Sequence, residues 1–124
     1  MVTEPAHPDV PFDEAFHDRV EPITGSWLHV LPDVRKLIRR HAKCGYDYHV
    51  GICQPAEVAV RIRWNSKYRR AGMTDIAVVY VTGSSRYLRE ATRDILDLYE
   101  HADAPAIMEH AVGGFYVYVA WRRP

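Results

Sequence analysis

Apolar residues recur at helical spacing through "LPDVRKLIRRHAKCG". Val34, Leu37, Ile38 and His41 form one stripe, and Arg35, Lys36, Arg39, Arg40 and Lys43 cover the rest. Pro32 suits a first turn, Asp33 complements the positive helix start, and Gly45 supplies a stop. In "YDYHVGIC" the period changes to two, with Tyr46, Tyr48, Val50 and Ile52 on one face of a strand. Gly51 interrupts that strand, as glycines do where a backbone or ligand comes close. "PAEVAVRIRWNSKYRRAG" carries both periods. Val58, Val60, Ile62 and Trp64 alternate, while Val60, Trp64, Tyr68 and Ala71 make a helical stripe after Pro55 and Glu57. A helix ending at Gly72 is the expectation, and a strand over 57–64 is the alternative.

The nearly continuous apolar run "DIAVVYVTG" predicts a central strand. "SSRYLREATRDILDLYEHA" predicts a helix capped by Ser84 or Ser85, with Leu88, Ala91, Thr92, Ile95, Leu98 and Tyr99 inward. "FYVYVAW" is a last strand with Phe115, Val117, Val119 and Trp121 on one face. "GSWLHV" reads as a short strand or core plug, and "DAPAIMEHAVGG" as a loop with one helical turn. The sum is an α+β domain over residues 26–124: a small three- to four-stranded, mainly antiparallel sheet flanked by about three helices. Residues 1–25 are rich in proline and acid and read as a flexible arm, placed to lie across a basic surface as a clamp or competitor.

A chain of 124 residues holds one core and is too short for two. Its apolar runs are far below the roughly 20 residues of a membrane span, and its first residues lack a signal-peptide pattern, so a soluble cytoplasmic protein is expected. Cys44 and Cys53 make no disulfide framework. With His41 and His49 they offer a zinc-like quartet, but at a spacing unlike common fingers. Two buried thiols are the simpler reading.

The zero net charge conceals a block. From Val34 to Arg70 there are ten cations against two anions, Asp47 and Glu57, while both flanks are acidic. A basic middle suits polyphosphate binding through counterion release. It equally suits solvated helix faces paired with the acidic flanks.

The order of elements, with "YHVG" on a strand, "RIRWNSKY" on the next helix and "AVVYVTGSSRYLREATRDILDLY" as strand and helix, resembles the GIY-YIG nuclease superfamily over residues 45–121. The resemblance implies a metal-dependent nuclease domain acting on nucleic-acid phosphodiester bonds, with DNA the favoured partner. It implies Tyr48, with Tyr46 beside it, as the base or aligner of water. Arg61, seconded by Arg63, would stabilise phosphate charge, because a guanidinium fork binds phosphate oxygens bidentately. Tyr68 would contact phosphate, and Glu90 would hold magnesium or manganese. Arg35, Arg39, Arg40, Lys43, Lys67, Arg69 and Arg70 would contact the nucleic-acid backbone. This chain departs from the pattern in two places. Helix replaces the opening Gly-Ile-Tyr strand, and Thr92 stands where the metal glutamate belongs, with Glu90 about 200° around the helix from it.

The residues also admit structural roles: Tyr46 and Tyr48 as core tyrosines, Arg61 and Arg63 as solvated charges, Trp64 and Tyr68 as a buried stripe. Three readings therefore stay open: a nuclease, an inactive nucleic-acid-binding module, and a protein-interaction module whose basic segment meets an acidic partner or its own arm.

Overall fold

The alternating and continuous apolar runs assemble into one sheet in the computed structural model, which describes residues 8–42, 47–104 and 113–124. Strands β1 (Tyr48–Cys53), β2 (Asp75–Thr82), β3 (Ala102–Asp103) and β4 (Phe115–Trp121) pair in the order β2-β4-β1-β3. β4 is antiparallel to both of its neighbours, and the two-residue β3 is parallel to β1. Four α-helices accompany the sheet among the described residues: α1 (Phe12–Ala15), α2 (Trp27–His41), α3 (Glu57–Arg63) and α4 (Leu88–Leu98). The fold is therefore α+β with a mixed, mostly antiparallel sheet. No helix among the described residues is long and apolar enough to cross a membrane.

Alternation along the strands fills both faces. Val50 and Ile52 of β1 and Phe115, Val117, Val119 and Trp121 of β4 join Trp27, Val30, Val34 and Ile38 of α2 and Leu88, Ala91 and Ile95 of α4 in one core. Cys53, Ile76, Val78, Tyr118 and Ala120 point the other way, onto Phe12 and Ala15 of α1 and Val60, Trp64 and Tyr68 of the α3 segment. The sheet is thus covered by α2 and α4 on one face and by α1 and α3 on the other. A strand side chain is committed to one of these layers by its parity, except at the β2 bulge, where the consecutive Val79 and Tyr80 both join the α2/α4 core.

Several expectations change. β2 lies at one end of the sheet rather than at its centre. Its run stays apolar because both faces are covered and because residues 16–23 shield its outer edge. The amide of His17 donates to Ile76 O, that of Ile23 to Val79 O, and that of Val81 to Ile23 O. That shielding also corrects the reading of 1–25 as a flexible arm over its described part. Phe12 and Ala15 are buried, and the Trp64 indole donates to Val10 O at 2.7 Å. "SWLHV" is helix, because α2 begins at Trp27 and carries Pro32 inside it. Trp27 then anchors the helix, donating to Asp94 of α4 at 2.9 Å.

The ambiguous segment is helical over 57–63 and widens into a π-helical turn over Trp64–Tyr68, where the Arg69 amide bonds Trp64 O. Trp64 and Tyr68 are fully buried, but the wider turn ends the stripe there, leaving Ala71 exposed and Met73 buried. Gly72 closes the segment at φ +80°. On α4, Leu98 is exposed rather than inward, since the helix ends at that residue.

Candidate functional site

The β1–α3 connection carries the chain from one face of the sheet to the other, and this decides which expected site residues meet. Tyr48 belongs to the α2/α4 face, half-buried, with its ring edge-on to Tyr99 at 6.3 Å between centroids. Arg61 lies on α3 across the sheet, where it pairs with Asp13 at 3.1 Å and covers the Phe12 ring at 4.7 Å. Tyr48 and Arg61 therefore do not converge on one phosphate. Glu90 shares the α2/α4 face with Tyr48 but stands beside Tyr80, near the opposite end of the sheet. Tyr48 pairs with Trp121, whereas Tyr80 pairs with Val117, four residues along β4, about 13 Å at the usual rise. Tyr46 and Lys43 lie outside the described residues, as does Cys44 of the quartet. His41 packs on Trp121 at 5.1 Å on the α2 side, while His49 and Cys53 face α3, so these three residues do not surround a common ion.

A different group does assemble. Gly51 sits in β1 between Tyr118 of β4 and Asp103 of β3. With no side chain at Gly51, the Tyr118 ring lies across the strand, and a Cβ there would come within 2.2 Å of Tyr118 Cζ and Oη. The Tyr118 and Tyr68 hydroxyls are 2.7 Å apart. Asp103 Oδ2 receives Tyr68 at 3.2 Å and Tyr118 at 3.5 Å, and is flanked by Lys67 Nζ at 3.4 Å and Arg63 Nη1 at 3.5 Å. His49 lies edge-on to Tyr68 and stacks on His101 at 5.0 Å. Arg63, Lys67 and Tyr68 thus come together, around a carboxylate that sequence reading did not single out. The only local signal for it was Gly51, and the short parallel strand holding Asp103 has no recognisable pattern of its own.

The chemistry of this network is that of fixed donors around one carboxylate. Burial pushes the pKa values of both phenols up, and the Asp103 charge adds to the rise in each. They stay protonated at neutral pH and are poorly suited to act as bases. Burial, followed by the Lys67 charge, lowers the pKa of His49. Burial also raises that of Cys53 to about 12, which makes it an inert thiol. One carboxylate shared by two cations and two phenols is not a magnesium donor set, since that ion needs several free oxygens. Among the described residues no three His, Cys, Asp or Glu side chains gather to hold a metal.

The cations divide sharply. On the α3 side Arg61 pairs with Asp13, Arg69 with Asp9 at 2.5 Å, and Arg63 and Lys67 with Asp103. On α2, Arg35, Lys36, Arg39 and Arg40 are all exposed, and none forms an ion pair among the described residues. Arg70 is likewise exposed and forms none among them. Arg35 and Arg39 flank Tyr99, where their charges oppose the upward push of burial on its pKa. The exposed cationic row Arg35–Arg39 therefore runs beside half-buried Tyr99, with a second exposed row, Lys36–Arg40, one position further round α2. A second polar cluster is structural. Buried Asp75 binds His17 at 2.8 Å, Thr74 at 2.6 Å and Arg123 at 2.9 Å, tying the N-terminal segment and the C-terminus to β2.

No protein-family model, no curated protein and no solved structure matches this chain.

Proposed function

We propose that this chain is a nucleic-acid-binding module that grips the phosphate backbone with the exposed face of α2. The observation carrying this reading is the set of four exposed cations, Arg35, Lys36, Arg39 and Arg40, unpaired among the described residues. Like charges at i,i+4 cost an isolated helix about 0.2–0.5 kcal/mol per pair. The helix dipole rewards cations only in the last turn, which covers Arg39 and Arg40 but not Arg35 or Lys36. A polyanion relieves that repulsion. Tyr48 and Tyr99 at the edge of the rows offer apolar surface on which an unpaired base can rest.

The test is anisotropy of labelled single-stranded and duplex oligonucleotides titrated with the protein across a salt series. Binding should weaken linearly in log–log form. Replacing Arg35, Arg39 and Arg40 with Gln should flatten the duplex slope by about 0.9 for each phosphate no longer neutralised. Absence of salt-sensitive binding at low ionic strength, or a slope indifferent to these changes, refutes the reading.

Phosphodiester hydrolysis of the GIY-YIG kind is the second reading, supported by the gathering of Arg63, Tyr68, Tyr118 and Asp103 on one face; in it Asp103 would have to release its cations and supply one carboxylate, the other magnesium oxygens coming from phosphate and water. Plasmid nicking with magnesium or manganese that disappears in both Arg63→Ala and Asp103→Ala would support it over simple binding.

A further inference from the structure

Arg61 and Arg69 project from the α3 segment on the face of the sheet opposite α2, and each is met by one acid of the N-terminal segment. Asp13 lies 3.1 Å from Arg61, and Asp9 lies 2.5 Å from Arg69. The backbone between those acids is fastened by other means: Phe12 is buried and stacks on Phe16 at 4.9 Å, and Val10 O accepts the Trp64 indole. The carboxylates are not fastened. Their side chains are 80% and 76% exposed, for Asp13 and Asp9 respectively, so either can swing into water while the segment stays docked. Exposed pairs of this kind contribute little to stability, so stability alone gives weak reason to align two acids with two arginines. Arg61 and Arg69 stand eight positions apart along α3 and its π-helical turn, about 12 Å at the usual helical rise.

We propose that the α3 face is a second phosphate-binding strip for nucleic acid, with Asp9 and Asp13 occupying the places of backbone phosphates and holding the strip closed. This rests on the nucleic-acid reading above and adds a surface to it. Because α2 and α3 cover opposite faces, the second strip engages a different stretch of nucleic acid from the first. The tethered carboxylates compete with phosphate, so the strip opens only to a ligand dense enough in charge to displace both.

The experiment compares wild type, Asp9→Asn/Asp13→Asn, and that variant with Arg61→Gln/Arg69→Gln added, each as the full chain and each checked for an unchanged melting temperature. The probe is a labelled duplex across a salt series. Neutralising the two acids should steepen the salt slope by about 1.8, from two further phosphates neutralised at about 0.9 each, and the added Gln changes should abolish the gain. In the wild-type background the same Gln changes should alter the slope by much less. A wild type that binds, with a slope unmoved by Asp9→Asn/Asp13→Asn, overturns the second strip and leaves the first standing. A gain that survives Arg61→Gln/Arg69→Gln reports net charge alone and also overturns it. Failure of every protein to bind at low salt removes both proposals. Preferential capture of phosphatidylserine vesicles over duplex by the opened variant would overturn the assignment to nucleic acid.

Discussion

Replacing Gly51 with alanine separates local propensity from tertiary packing, because the two predict opposite signs. Gly51 does not occupy a positive-φ conformation, so an alanine fits the backbone. By propensity the change should stabilise the protein by about 0.4–1 kcal/mol, through the lower entropy of the unfolded chain. The structure predicts the reverse. The new methyl would sit 2.2 Å from Tyr118 Cζ and Oη, where carbon atoms prefer about 3.5–4.0 Å, so the ring must move by more than an ångström. Displacement overpacks a filled site, at about 1–3 kcal/mol. It also pulls the Tyr118 hydroxyl from Tyr68, 2.7 Å away, and strands buried polar groups at about another 1–3 kcal/mol. The expected net loss, after the propensity gain is subtracted, is about 1–5 kcal/mol, against a total of some 5–15 kcal/mol for a typical domain.

Urea denaturation followed by tryptophan fluorescence reads the middle of this range, about 3 kcal/mol, as a midpoint lowered by about 1.5 M at a slope of about 2 kcal/mol per molar. The control is Tyr118→Val, itself destabilising, which empties the space above Gly51. In that background Gly51→Ala should cost almost nothing or become favourable. A Gly51→Ala protein as stable as wild type refutes the reasoning, as does an equal cost in the two backgrounds.

Other outcomes follow from the same structure. Burial lowers the pKa values of His41 and His49, helped by His17 and Arg40 at His41 and by Lys67 and His101 at His49. Their folded-state values lie below the unfolded value near 6.5, so the unfolded chain takes up protons first as pH falls. Their contribution to stability is full above about pH 6.5, is lost as pH drops towards the folded values, and levels off below them. Urea midpoints between about pH 7.5 and 5 should decline, and His41→Gln and His49→Gln should each flatten the decline; unchanged pH profiles in both would contradict this. With a thiol pKa of about 12, Cys53 is roughly one part in ten thousand thiolate at pH 8. In a Cys44→Ser protein, Ellman's reagent should therefore react only as fast as the chain unfolds, and labelling within seconds under native conditions would show the thiol to be accessible.

Local pattern determined the elements whose periods are strong. The α2 stripe of Val34 and Ile38, the inward Leu88, Ala91 and Ile95, and the four core-facing residues of "FYVYVAW" all sit where spacing puts them, because hydrophobic period is a property of neighbouring residues. Over 57–64 both periods run together, so pattern favoured the helix and the burial of Trp64 and Tyr68 without deciding them, and packing against the sheet made the choice. Pattern could not say where strands go in the sheet. A continuous apolar run marks two covered faces, not two paired edges, so β2 read as central although residues 16–23 shield its outer side.

The site was decided by tertiary structure. Tyr48 and Arg61 are thirteen residues apart in sequence, yet strand parity turns Tyr48 towards α2 while the next connection crosses the sheet and places Arg61 on the other side. Asp103, Tyr118 and Tyr68 meet only because a two-residue parallel strand and an antiparallel one flank the same glycine. The sequence held the block of cations in plain view. Which of them meet acids and which face water depended on chain segments roughly 35 to 60 residues away along the backbone, and no local rule carries that information.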